Sequence, residues 1–416
     1  MRTRSGWLPR AVRRRLAPLL ASLAVLLLAG GPPAQAETVL LPPTVDPFYR
    51  AAGALDNVAP GTVLQTRTVG LAPTGTPLPV QATQLLYRTT GQRGEPAATV
   101  ATVIRPATSG PIRLVSYQTA YDALGARCDP SFTLRGGGPG ALADAPVIAG
   151  FLAAGFTVVT SDYEGTELAY GAPRTSGYAT LDGIRAALTA LGAPAAAPVG
   201  LSGFSGGSIA TEFAAELAPD YAPELDIVGT AAGGLPVDLA DTLAYIDGKP
   251  DPSTLLPYVF EGMARGFGID LAPYLSDYGK QVVTQVADQC VFDGPKFPGL
   301  RIDQLLQPQY RDYRSVPAFA AMLDGGRMGS AGTPRGPVFL AGGNSDGIGD
   351  GVIVAADERA LAADYCRRGV AIRYEEYPGA DHLVAGALFV VAAQAFLQAA
   401  FDGAPFENSC AAVGSQ

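Results

Sequence analysis

The chain has 416 residues, a formal net charge of −9 at neutral pH, 48% hydrophobic and 16% charged residues. That length supports one large core with an inserted subdomain. The acidic balance argues against a nucleic-acid partner, which needs clustered Lys and Arg to neutralise phosphates. One histidine and no Cys-x-x-Cys pair argue against a zinc site.

Residues 1–36 read as an export leader. Arg2, Arg4, Arg10, Arg13, Arg14 and Arg15 form a basic start, and Leu16 to Gly30 is apolar but short for a membrane span. Ala34-Gln35-Ala36 is a small-residue cleavage site ahead of Glu37. The arginine pair leaves both the general secretory and the twin-arginine routes open. Removing the leader takes Trp7, the only tryptophan, and makes the rest more acidic. The mature chain is expected outside the cell. No later stretch reads as long and apolar enough to span a bilayer.

Strand and helix signals then alternate. Ile112–Gln118, Phe156–Ser161, Val199–Leu201, Leu225–Ala231, Pro337–Leu340 and Val370–Tyr374 read as strands. Several are apolar on both faces, as strands inside a parallel sheet must be. Ala145–Ala154, Thr180–Leu191, Gly206–Leu217 and Leu383–Ala400 read as helices. The alternation implies a doubly wound α/β sheet. The stretch from Val63 to Ile104 reads as antiparallel strands at one edge. Residues 236–332 break the rhythm and read as a helical cap inserted between two parts of the core, 37–235 and 333–416. In the cap, Leu255, Leu256, Val259, Phe260 and Met263 share one helical face, placed either against the core or toward a ligand.

Two stretches match G-x-S-x-G: GFSGG at 203–207 and GNSDG at 343–347. The pattern works as a nucleophile elbow only between a strand and a helix, where a tight turn lifts the hydroxyl above the sheet edge. Ser205 has both neighbours. Ser345 is followed by GIGDG, where no helix can start. A serine hydroxyl needs a base, and the sole histidine, His382, is the candidate, on a loop ahead of a long apolar helix. The imidazole in turn needs a carboxylate. Asp346 and Asp350, after strand 337–340, both satisfy the order serine, acid, histidine. The same loop could be read as a calcium loop. However, Ile348 stands at its third ligand place, and Asp357 at its twelfth, where a longer Glu is usual.

The mature sequence resembles the secretory lipase family, the Candida antarctica lipase A-like branch of the α/β-hydrolases. The resemblance rests on DPFY (46–49), QLLYRTT (84–90), SYQTAYD (116–122), SDYEG (161–165), GFSGGSIAT (203–211), YAPEL (221–225) and YPGADH (377–382). It implies a helical cap and a Ser-Asp-His triad acting on carboxylic esters, with no cofactor and no metal. The expected substrate is a lipid ester, met at a lipid–water interface. The resemblance favours Asp350 as the acid, since Asp350-Gly351-Val352-Ile353 has the family's pattern of Asp, any residue, two aliphatics. An enlarged glycine-rich loop departs from that pattern and keeps Asp346 as the alternative. The resemblance also implies an oxyanion hole from the N–H groups of Gly206 and Asp122. Four cysteines in an exported chain suggest two disulfides, and spacing alone leaves three connectivities open. The family pairing implies Cys128–Cys290 and Cys366–Cys410.

The rivals are a short-chain carboxylesterase, an amidase or acyltransferase built from the same parts, and a catalytically silent surface binding protein on this fold.

Overall fold

The structure, a computed structural model, describes residues 40–107 and 110–413. The expected leader, 1–36, lies outside the described residues. Among them, nine strands form one sheet: β1 (Val63–Val69), β2 (Gln81–Thr90), β3 (Pro96–Arg105), β4 (Leu114–Gln118), β5 (Thr157–Ser161), β6 (Pro198–Phe204), β7 (Asp226–Gly233), β8 (Val338–Asn344) and β9 (Ile372–Pro378). Their order is β1-β2-β3-β5-β4-β6-β7-β8-β9. The first four in that order pair antiparallel, as the alternating 63–104 stretch suggests, and the rest are parallel. Strands β4 and β5 are buried along their whole length, which matches their two-sided apolar sequences.

The longer helices are α1 (Asp144–Ala153), α2 (Pro173–Leu191), α3 (Gly206–Tyr221), α4 (Leu239–Ile246), α5 (Leu255–Phe267), α6 (Asp277–Val286), α7 (Pro317–Gly325), α8 (Ala355–Arg367) and α9 (His382–Phe401). Helices α2, α3 and α8 cover one face of the sheet through Leu181, Ile184, Phe213, Leu361 and Tyr365. Helices α1 and α9 cover the other through Phe151, Phe389 and Phe396. This is the doubly wound α/β arrangement. The chain passes from β4 outward to β5 and back to β6 on the opposite side. The strand order therefore reverses between β4 and β6, and a crevice opens at their carboxyl ends.

Between β7 and β8 the described chain is helical, with α4 to α7 packed around a cluster of its own that includes Leu243, Leu256, Phe260, Leu305 and Phe319. The apolar face of α5 divides. Leu256, Phe260 and Met263 are core, whereas Leu255 and Val259 also line a cavity next to Ser205.

Three expectations need correction. Helix α2 starts at Pro173 rather than Thr180: the proline opens its first turn, and Gly177 lets the added turns pack close against α3. A Cβ there would lie 2.8 Å from Leu217 and 2.9 Å from the Phe213 backbone. The strand before His382 is 372–378, not 370–374. It is fixed by pairing from Val338↔Ile372 to Asn344↔Pro378, and His382 opens α9 instead of sitting on a loop. Finally, α9, at 20 residues, is long and apolar enough to cross a membrane by length and composition. It is instead docked on the sheet, with Ala385, Phe389, Ala393, Phe396 and Leu397 buried.

Candidate active site

Strand β6 ends at Phe204, and α3 begins at Gly206. Ser205, between them, has φ 55° and ψ −125°, a strained conformation for a non-glycine residue. The flanking glycines make the turn possible. A Cβ on Gly203 would lie 2.3 Å from the Gly207 carbonyl oxygen, and one on Gly207 would lie 2.1 Å from that of Gln118. The turn is held by Ser205 N donating to Gly233 O (2.9 Å) and by Ser208 Oγ donating to Ser205 O (2.6 Å).

Helix α9 brings His382 over this turn. Asp381 caps the helix by accepting from Val384 N, which sets the angle at which His382 enters. His382 Nε2 lies 2.8 Å from Ser205 Oγ, and Nδ1 lies 2.7 Å from Asp350 Oδ2. The imidazole also stacks, tilted, on Phe204 with centroids 4.9 Å apart. The Asp350 carboxylate is 2% exposed, and its other oxygen accepts from Val352 N (2.9 Å) and Ile353 N (2.7 Å). Asp350 O accepts from His382 N at 3.0 Å. Nδ1–H therefore faces a fixed acceptor, and Nε2 is left to face the hydroxyl.

The other carboxylate and the other serine go elsewhere. Asp346 accepts from Ile348 N, Gly349 N and Tyr245 Oη, and these backbone donors pull its carboxyl down to about 2. Ser345 Oγ donates to Gly349 O within the same loop. Asp346 and Asp350 thus point to different partners and do not converge as a calcium site would require.

Gly206 is the first residue of α3, so its N–H is one of the donors that no intrahelical acceptor takes. Asp122 follows β4 in the left-handed region (φ 41°). Its carboxyl packs against Gly206: a Cβ there would lie 1.7 Å from Asp122 Oδ1. Burial pushes the Asp122 carboxyl up to about 7, and the nearby His382 imidazole and the Tyr170 hydroxyl limit the rise. The loop is pinned by the helical segment between β7 and β8. Asp122 O accepts from Val291 N, Leu124 N donates to Gln289 O, and a disulfide joins Cys128 to Cys290. The second disulfide joins Cys366 to Cys410, holding the C-terminal segment to the end of α8. These are the pairings that the resemblance implies.

Sequence reasoning did not assign a role to the acidic floor under this loop. Glu164 accepts from Ala123 N, and Asp162 accepts from Ser131 N and Oγ. Burial raises the carboxyls of Glu164 and Asp162, and of Asp129 beside Asp162. No local signal marked these acids as buried, since charged side chains are ordinarily exposed.

Ser205 and Gly206 open onto an apolar slot of ≈ 50 Å³. Helix α4 forms one wall (Leu239, Thr242, Leu243, Ile246), and Val352 and Ile353, just after Asp350, contribute another. Polar groups at one end of an apolar slot suit an ester with an acyl chain.

Residues 141–409 match the family described as secretory lipase. Among curated relatives, the chain is 31% identical to Lipase A of Arthroderma benhamiae over 90% of this chain and 83% of that one. It is 35% identical to "Probable inactive lipase MT1628" of Mycobacterium tuberculosis over 88% and 84%. Among solved structures, Candida antarctica lipase A in its closed state superposes with a TM-score of 0.80 at 31% identity, covering 89% of each chain.

Proposed function

This chain belongs to the secretory lipase family, with the α/β-hydrolase fold, and on that premise we propose that it is a triacylglycerol lipase working through an acyl-enzyme on Ser205. Membership makes it an ester-hydrolysing enzyme. The two disulfides fit an oxidising compartment outside the cytoplasm. Export would use the leader at 1–36, by the general secretory or the twin-arginine route.

The single observation that carries the assignment is the relay Ser205–His382–Asp350, with contacts of 2.8 and 2.7 Å. His382 Nε2 takes the Ser205 proton as Oγ attacks the ester carbonyl. Asp350 orients the ring and balances its positive charge. The N–H groups of Gly206 and Asp122 receive the negative oxygen. His382 then returns the proton to the departing alcohol. Water, activated by the same imidazole, releases the fatty acid and frees Ser205.

Two observations keep alternatives in view. The narrow slot favours a short-chain carboxylesterase, and the mycobacterial relative's name favours a silent fold. A fluorophosphonate probe tests the proposal, since it reacts only with an activated serine. Labelling on the peptide containing Ser205, lost in Ser205→Ala and in His382→Ala, is expected. An unlabelled wild-type protein would overturn the reading.

A further inference from the structure

The slot beside Ser205 has two walls from separate parts of the chain, and a polar contact ties them together. Tyr245, on α4, donates its hydroxyl to Asp346 Oδ2 (2.8 Å) and accepts from Gly351 N (3.1 Å). Lys249 Nζ lies 3.0 Å from the Tyr245 ring centroid and 3.7 Å from Asp346 Oδ2. Asp346 is itself held in its loop by the N–H groups of Ile348 and Gly349. Tyr245 therefore fastens the cap helix to the loop on both sides of Asp350, at Asp346 and at Gly351. Residues 242, 243 and 246 of the same helix, and 352 and 353 of the same loop, face the slot.

The slot volume, ≈ 50 Å³, holds a few water molecules and not a long acyl chain. A long chain needs a wall of the slot to give way, and if α4 moves away from Val352 and Ile353 the bonds of the Tyr245 hydroxyl break. A short chain fits without it.

We propose that Tyr245, Asp346 and Lys249 form a latch across the slot that sets the length of acyl chain accepted. The latch rests on the ester-hydrolase reading of Ser205. The work of opening it falls on long substrates alone, so the latch acts on selectivity between chain lengths rather than on the chemical step. It also gives the enlarged glycine-rich loop a purpose, because Asp346 lies in the part of that loop that precedes Asp350.

The test compares kcat/KM for p-nitrophenyl laurate and p-nitrophenyl acetate in the wild type, Tyr245→Phe and Asp346→Asn. Tyr245→Phe keeps the ring under Lys249 and removes only the hydroxyl. Asp346→Asn keeps an acceptor for the loop's backbone donors and removes the charge. The laurate-to-acetate ratio is expected to rise roughly three- to tenfold in Tyr245→Phe and to move the same way in Asp346→Asn. An unchanged ratio in both variants, with Ser205 still labelled by a fluorophosphonate, overturns the latch alone, even if thermal stability falls. Absence of labelling in the wild type overturns the hydrolase reading and the latch with it.

Discussion

His382 and Asp350, 32 residues apart in the chain, meet twice: Nδ1 lies 2.7 Å from Oδ2, and the His382 N–H donates to the Asp350 carbonyl at 3.0 Å. The first contact fixes the tautomer and the second fixes the start of α9 against the Asp350 loop. Replacing the carboxylate by an amide leaves the shape and removes the acceptor that selects the tautomer. Asp350→Asn is predicted to lower kcat on p-nitrophenyl butyrate by roughly 10³–10⁴. Asp346→Asn is predicted to keep activity within about tenfold, because it contacts Tyr245 and its own loop. The reverse pattern would make Asp346 the acid.

Gly206 lies where the Asp122 carboxyl packs, so a methyl group has no room. Gly206→Ala is predicted to displace the Asp122 loop and to cost on the order of 10²–10³ in kcat, the loss typical of a missing oxyanion donor. Steady-state kinetics at saturating substrate check it. Undiminished kcat would place the oxyanion donors elsewhere.

The two disulfides are predicted to differ in consequence. Cys128–Cys290 spans 162 residues and pins the Asp122 loop to the cap, whereas Cys366–Cys410 spans 44 and lies at the C-terminal segment. Loop-closure entropy makes the longer one more stabilising by about 1 kcal/mol. The double variant Cys128→Ser/Cys290→Ser should lose both stability, by about 2–5 kcal/mol, and activity at a temperature where it stays folded. Cys366→Ser/Cys410→Ser should lose stability with kcat preserved. Denaturant melts paired with assays separate the cases, and equal kcat in both variants would contradict the role given to the first bond.

Stability should fall as pH rises. Burial pushes Asp144 up to about 6, Asp122 to about 7 and Glu212 to about 8, where Glu216 adds to the effect. Unfolded carboxyls release their protons near pH 4. Between about pH 4 and 8 the folded protein therefore holds protons that the unfolded chain has lost. The stabilisation is complete below pH 4 and is lost as pH climbs through those values. Asp346 shifts the other way, to about 2, so its contribution changes only below pH 4 and does not oppose the trend. Melting temperature at constant ionic strength should be higher at pH 5 than at pH 8 by at least about 3 °C. A flat or rising profile over that interval would contradict the buried-acid account.

Much of this site was legible in the sequence because its signals are local. The elbow shows in GFSGG, between an apolar run and a helical one, and His382 is the sole imidazole. The choice between Asp346 and Asp350 was not local. Both follow the same strand, and they separate only in three dimensions, where Asp350 meets His382 and Asp346 meets Tyr245. Spacing left the cysteine pairing open for the same reason, since contact depends on how the cap folds back. Helix α2 is longer than its apolar pattern suggests, because its first turns, with Gly177, gain their packing only against α3. The acids at 129, 162 and 164 were invisible as core residues, because charged side chains are ordinarily exposed and only tertiary packing submerged them.

The account's central claim is that Ser205, served by His382, cleaves lipid esters, and fatty-acid release from an emulsion of a long-chain triacylglycerol tests it most directly. Titrating the acid released by the mature wild-type chain and by Ser205→Ala should give steady production from the first and none above background from the second. Equal release from both, or none from the wild type, would contradict it.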